Sequence, residues 1–523
     1  MKTLRIVLAT ASLIISLLPA MANAAEPRCA GRKVTISGTP GDDVIQGTPG
    51  EDVIRGLGGN DQIKGGGGND FICAGRNQDV VTGDDDNDVL RGNNGADRLD
   101  GSGGNDKIFG GGGPDDLTGA GGNDLVAGRV DGDKIGGGLG DDVLEGGSGP
   151  GDLLNFLDAE APVEVDLSAG NASGEGSDEV SGFEIVWGSA FADTVVGTDD
   201  SESMIGNGGD DDIAGLGGPD VLIGSFFGES PDQLHLSGGA GQDQLVSGAG
   251  DDEIDGGTGA DLLGFSFDAS GVTLDLAVGT SSGDGNDQIS QIENVEGTSN
   301  DDTIFGNDGP NYLFGDFGND TLDGRGGDDA VFGGRSIKTD ENAPMHTSVT
   351  GGSGDDLLVV FHGDGEALGD AGDDTLFVGP GGNRTLDGGA GTDRAVFGYA
   401  TGVYADLAQG FARSATCTQN CNQDTLVNLE GLEGGGGDYQ VPIPGQAAGV
   451  GGDAGPDVLI GDDGPNTLRG FDQDDQILGA GGDDVLDGGE NTLEAEDHDH
   501  DELDGGPGTD ACIRGEQNVN CES

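Results

Sequence analysis

An aspartate returns every ninth residue along most of this chain, each time in a glycine-rich segment and two places ahead of an aliphatic side chain. From Gly38 to Leu154 the sequence divides into consecutive nonapeptides. The acid stands at Asp43, Asp52, Asp61, Asp70, Asp79, Asp88, Asp97, Asp106, Asp115, Asp124, Asp133 and Asp142, with Gly151 in the last slot. The apolar beat runs through Ile45, Ile54, Ile63 and on to Leu144 and Leu153. Later runs put Asp193, Asp211, Asp220, Asp243, Asp252 and Asp261 in the same slot. Asp302, Asp320, Asp329, Asp356, Asp374 and Asp393 follow, then Asp457, Asp475, Asp484 and Asp510. Glu202, Asn311 and Asn466 are substitutes; Gly365 and Arg384 are departures, and the register slips by one residue near Val378. A carboxylate at constant phase among glycines, which leave backbone carbonyls open to close approach, is chemistry for a hard cation bound through oxygen.

The elements that must hold these carboxylates follow from the same period. Six turn residues and three strand residues make one unit, and in so short a strand only the middle side chain points inward. Two units close a coil of 18 residues, so strands stack in parallel on two faces, about 4.8 Å apart. One inward aliphatic residue per nine gives a thin core against the entropy of ordering the backbone. Stacked aspartates add repulsion. A divalent ion between turns would offset both. Calcium accepts six to eight carboxylate and carbonyl oxygens in flexible geometry, whereas magnesium needs a tighter octahedron and zinc prefers Cys or His, which the repeats lack.

This pattern, as in Gly56-Leu57-Gly58-Gly59-Asn60-Asp61-Gln62-Ile63-Lys64, resembles the hemolysin-type (RTX) calcium-binding repeats of bacterial proteins. The resemblance implies an all-β fold, a parallel β-roll with two nonapeptides per coil. It also implies Ca2+ between adjacent turns, with the aspartates named above supplying the carboxylates. The competing reading is that each aspartate merely caps its own turn.

Composition agrees with a cation-binding chain. There are 99 acidic against 21 basic side chains, a net charge of -78, and 33% hydrophobic residues. Nucleic acid and anionic membranes are poor partners for such a polyanion. Residues 1–24 read as a signal peptide: Lys2 and Arg5, an apolar stretch from Ile6 to Leu18, and Ala22-Asn23-Ala24 before the cut. The apolar stretch is short for a membrane span and no second one follows. The expected location is extracellular, where six cysteines favour disulfides. Local pairing is the preferred connectivity: Cys29 with Cys73, Cys417 with Cys421, and Cys512 with Cys521. The first pair is the least secure, because strict repetition puts its members on different coils.

The expected organisation is an N-terminal cap and first roll block over 25–154, a spacer over 155–187, and a second block over 188–264. A spacer over 265–296, a third block over 297–396 and a spacer with the Cys417/Cys421 loop over 397–451 follow. The fourth block covers 452–513, and a disulfide-pinned tail 514–523. Landmarks Asp166-Leu167, Glu184-Ile185 and Asp193 recur at a constant offset as Asp275-Leu276, Glu293-Asn294 and Asp302. Alternating runs such as Val163-Glu164-Val165-Asp166-Leu167 predict hairpin-like spacers. The acidic stretch Glu490–Asp501, with His498 and His500, reads as a solvated loop.

No catalytic constellation stands out. The histidines are His235, His346, His362, His498 and His500, and no H-E-x-x-H motif is present. No G-x-S-x-G occurs in a strand-turn-helix setting. Paired carboxylates such as Asp355-Asp356 recur in phase with the turns. The sequence therefore predicts an exported, calcium-binding, non-enzymatic roll. The alternatives are a calcium-dependent adhesion or matrix protein that contacts a cell surface or extracellular polysaccharide, and, less favoured, a polysaccharide-modifying enzyme.

Overall fold

The computed structural model describes residues 28–521 apart from 226–231, 266–269, 284, 335–345, 362, 380–381, 399–401, 416–421, 435–437, 440–449, 452–455, 472–473, 490–500 and 515–516. The N-terminal apolar segment, the Cys417/Cys421 pair and the histidines of the acidic stretch lie outside the described residues.

Every described element is a β-strand. The strand Arg98–Asp100 shows why: Leu99 is fully buried while its neighbours face outward. Leu99 lies beside Val81 and Leu117, 18 residues to either side, in parallel register. Ile108 lies beside Leu90 and Val126 in the same way, but in the opposite sheet. Consecutive strands thus alternate between two sheets, and their inward side chains form a single core from Ile45 to Leu503. This is the parallel β-roll that the period predicts.

Each spacer is an antiparallel hairpin built into one sheet only. Val143–Ser148 pairs in parallel with Ser177–Ser181, which pairs antiparallel with Asn171–Ser173. That strand pairs antiparallel with Glu164–Asp166, which returns to parallel pairing with Thr194–Val196. On the opposite sheet Leu153–Asn155 pairs directly with Ile185–Trp187. The second and third spacers repeat the hairpin with Thr273–Asp275 against Thr280–Ser282, and Val403–Asp406 against Phe411–Ser414. Inward residues such as Val165, Ala172 and Val180 join the common core, so the roll continues through the interruptions.

One detail differs from the unbroken beat expected up to Leu154. Ile135 faces Leu154 and not Leu153, so one residue is inserted after Leu144. The extra residue is absorbed in the turn, where Gly151 has φ 90°, a conformation open to glycine. Asp152, and not Gly151, consequently takes the carboxylate position. The slip near Val378 is present: Leu376 faces Leu358, 18 residues back, but Ala395, 19 residues on. A second, outward-facing apolar cluster of Phe314, Phe332, Val359, Phe377 and Val396 is also buried, where alternation alone predicts variable surface residues.

Both described disulfides match the expected pairs. Cys29 sits in the antiparallel hairpin of Arg28–Cys29 with Arg32–Lys33, and Cys73 follows the inward Ile72 and points out of its sheet. They meet on the outside of the roll beside Val53 and Phe71, with Cα atoms 5.8 Å apart. Cys512 lies beside Leu486 in the core position, and its bridge to Cys521 sets the tail against the end of the core.

Candidate metal sites along two aspartate rails

The turns on each edge of the roll stack so that every aspartate meets its equivalent one coil away. Asp97 donates its backbone N–H to Asp115 Oδ1 at 2.8 Å, and Asp115 donates to Asp133 Oδ1 at 2.9 Å. One rail runs Asp43, Asp61, Asp79, Asp97, Asp115, Asp133, Asp152. The other runs Asp52, Asp70, Asp88, Asp106, Asp124, Asp142, Asp178. Beyond the first hairpin the series are Asp193 to Asp211, and Glu202, Asp220, Asp243, Asp261, Glu293, with Asp252 joined to Asp287. Beyond the second they are Asp302 to Asp320, and Asn311, Asp329, Asp356, Asp374, Asp393, Glu430. The last are Asp457, Asp475, Asp501 and Asn466, Asp484, Asp510. Sequence reasoning missed Asp152, Asp178, Asp287 and Asp501 as members, and the roles of Glu293 and Glu430 as rail ends and of Glu184, which accepts the Asp152 N–H at 3.0 Å. Asp178 and Asp287 stand at the same constant offset as the other spacer landmarks and were findable by extending that comparison.

Oδ1 is thus committed to the backbone. Oδ2 is not: from Asp61 to Asp142 on both rails, and at Asp152, Asp211, Asp220, Asp243, Asp252, Asp261, Asp320, Asp329, Asp356, Asp374, Asp393, Asp484 and Asp510, it is buried with no hydrogen-bond partner. A buried, charged, unsatisfied oxygen is costly, so each instance calls for a reason. At most of these turns the oxygen points at the glycine five residues earlier, onto which a carbonyl of the next coil also converges; Ser247 stands in that place ahead of Asp252, and the turn of Asp152 carries the extra residue. A methyl carbon placed on Gly65 would stand 2.5 Å from both Asp70 Oδ2 and the Gly83 carbonyl oxygen; on Gly238 it would stand 2.5 Å from Asp243 Oδ2 and 2.6 Å from the Gly256 carbonyl. Glycine keeps this space free of side chains.

Burial has an electrostatic consequence. Desolvation, with repulsion from rail neighbours, pushes Asp79, Asp88, Asp106, Asp115, Asp133 and Asp142 up to about 7 from an ordinary 3.8. Desolvation outweighs the single backbone hydrogen bond each receives. Asp52 goes the other way. Burial raises it, but hydrogen bonds from Thr48 and Thr35 prevail and hold it below its ordinary value.

Six stretches of the chain, 37–72, 82–117, 185–224, 235–263, 294–335 and 451–486, match the family of the RTX calcium-binding nonapeptide repeat. The nonapeptides in these stretches are RTX calcium-binding repeats. A comparison with curated proteins gives no match. The RTX turns fit a calcium ion by the chemistry of their donors: an orphaned carboxylate oxygen and backbone carbonyls, all hard oxygen. Among the described residues no group of three or more His, Cys, Asp or Glu side chains gathers at one point, so an ion there would draw on one carboxylate per turn and on the main chain.

One turn of the roll carries its own cation. At Arg384 the side chain is fully buried; Nε donates to Asp424 Oδ1 at 3.0 Å and Nη2 to Oδ2 at 3.2 Å. Nη1 and Nη2 also donate to the Val360 and Gly379 carbonyls. The Arg384 backbone N–H meets Asp424 Oδ1 as on any rung, so the rail passes through this turn with a guanidinium supplying the positive charge. At Gly365 the strand Asp364–Ala371 runs straight through the slot, beside Thr347, with no carboxylate. No helix among the described residues is long and apolar enough to cross a membrane.

Proposed function

We propose that this protein is an exported calcium-binding β-roll whose ions sit between successive RTX turns and hold the coils together, with no catalysis of its own. The observation that carries this reading is the repeated, buried Asp Oδ2 without a partner, aimed at a space that glycine keeps open and a carbonyl lines. A calcium ion there would satisfy that oxygen and cancel the repulsion along the rails. Binding only the folded state, it would stabilise the roll by mass action. The N-terminal segment 1–24 supports export, and extracellular calcium modules work at about 10⁻⁴–10⁻³ M, so the chain would order itself after leaving the cell. The ligands in this reading are the rail aspartates with an open Oδ2.

The test is calcium titration of the mature chain by calorimetry, with far-ultraviolet circular dichroism in parallel. Multiple ions bind and the β signal grows with them; magnesium at the same concentration has a weaker effect. A spectrum that is the same in excess chelator as in calcium overturns the reading.

A further inference from the structure

The rail carboxylates fall into two kinds, divided by the residue four places earlier. Ahead of Asp61, Asp97, Asp220 and Asp484 that residue is left-handed: Leu57 at φ 95°, Asn93 at 78°, Leu216 at 73° and Ala480 at 71°. Its N–H then turns away from the carboxylate; that of Leu57 goes to the Ala74 carbonyl at 3.0 Å. Oδ2 is left open. Two open turns are exceptions: Gly248, before Asp252, is not left-handed, nor is Ser148, before Asp152, where the turn carries an extra residue. At other turns the residue is not left-handed and its N–H points at the carboxylate itself. Thr48 donates to Asp52 Oδ2 at 2.7 Å and Thr298 to Asp302 Oδ2 at 2.8 Å. Ser189 donates to Asp193 and Thr198 to Glu202 in the same way. Each hydroxyl adds a bond to the same carboxylate, as Thr298 Oγ1 does to Asp302 Oδ1 at 3.0 Å. The hydroxyl also accepts an N–H two residues on, as from Asn300 at 2.9 Å. Asn307 and Asp462 cap Asn311 and Asn466 likewise, and Asn311 Nδ2 donates to the Glu293 carbonyl of the preceding coil.

The capped turns are not scattered. Thr39 and Thr48 open the first run, Ser189 and Thr198 follow the first hairpin, and Thr298 and Asn307 follow the second. Each pair makes one complete coil, one turn per edge. The runs that start after simple loops do not begin this way: Gly239, before Asp243, and Gly352, before Asp356, are left-handed. A donor peptide directed at the carboxylate puts the positive end of an N–H where a cation would sit and occupies the oxygen that would bind it.

We propose that these capped coils hold no calcium and stay closed without it, so that the runs of RTX repeats at the start and after the first two hairpins begin on a metal-independent coil against which calcium-loaded coils stack. This rests on the calcium reading above. It makes an N–H directed at the rail acid from four places earlier the mark of a turn that takes no ion. The hydroxyl alone does not decide: Ser102 is left-handed at φ 73° and leaves Asp106 open.

Hydrogen exchange of the full chain, resolved by peptide mass spectrometry during stepwise calcium chelation, tests this. Peptides over 188–206 and 297–314 are expected to keep their protection after those over 207–224 and 315–332 have lost it, with exchange at least about tenfold slower in excess chelator. Thr298→Gly should move its coil into the calcium-dependent group while leaving it protected in calcium, and Thr298→Ser should behave as the parent. Capped and open coils losing protection at the same free calcium would overturn the distinction, as would Thr298→Gly exchanging fast even in calcium. Exchange that responds to calcium nowhere would instead sink the calcium reading itself.

Discussion

In the absence of calcium, acidification should fold this chain. Asp79, Asp88, Asp106, Asp115, Asp133 and Asp142 are pushed up to about 7 in the roll, against an ordinary 3.8 once unfolded. A group whose folded pKa lies above its unfolded one takes up a proton on folding. Its stabilising contribution is complete below 3.8 and is lost as pH rises through about 7. Between those limits each such group makes stability fall by at most about 1.4 kcal/mol per pH unit. Six would give an upper bound of about 8 kcal/mol per pH unit, and a quarter of that is enough to carry a marginal fold across its midpoint. Asp52, Asp166, Asp275 and Asp487 are held below their ordinary values, so their contribution is present above 3.8 and disappears only in stronger acid. The useful window is therefore about pH 4.5 to 7. Far-ultraviolet circular dichroism in excess chelator, stepped from pH 8 to 5, should show the β signal rise with a midpoint inside that window. A signal that stays flat or falls would refute the reasoning. Calcium uptake at pH 6.5 should release protons, seen as a dependence of the calorimetric heat on the ionisation enthalpy of the buffer.

Asp115→Asn keeps an acceptor for the Asp97 N–H but removes a buried charge. It should ease folding in chelator at pH 8 and weaken the response to calcium, an inversion that paired urea titrations with and without calcium would show. Loss of stability in both conditions would count against the rail as a site of unsatisfied charge. Arg384→Met leaves Asp424 buried without its guanidinium and should cost about 3–5 kcal/mol in urea unfolding at saturating calcium. A cost under about 1 kcal/mol, the range of an exposed pair, would show that the buried pair is not what closes that turn.

The coil was legible because its period needs only one inward side chain per strand, and Leu99, Ile108 and Leu117 state that position without ambiguity. The spacer hairpins were legible from alternation in runs such as Val163 to Leu167. The insertion ahead of Asp152 was not, because Gly149-Pro150-Gly151 allows either register and only the pairing of Ile135 with Leu154 decides it. The buried outer cluster around Phe332 was not legible either, since alternation says which face a residue takes but not whether that face is covered. Most of all, the letters show an aspartate in every turn but not which way the preceding peptide faces. Thr48 and Ser102 are similar residues at equivalent places, yet Ser102 is left-handed while Thr48 is not and turns its N–H onto Asp52.

The hairpins have a practical consequence. The opposite sheet passes them without a break, with Leu153–Asn155 paired directly to Ile185–Trp187, whereas the rails end at Asp152 and Asp178 and new series start at Asp193 and Glu202. The third already accepts a longer connection between Phe411–Ser414 and Asp424–Val427, which still pair. Foreign peptides grafted at these three places would project from the same sheet of the roll, spaced by the number of coils between them, which would make the molecule a ruler for arranging displayed groups.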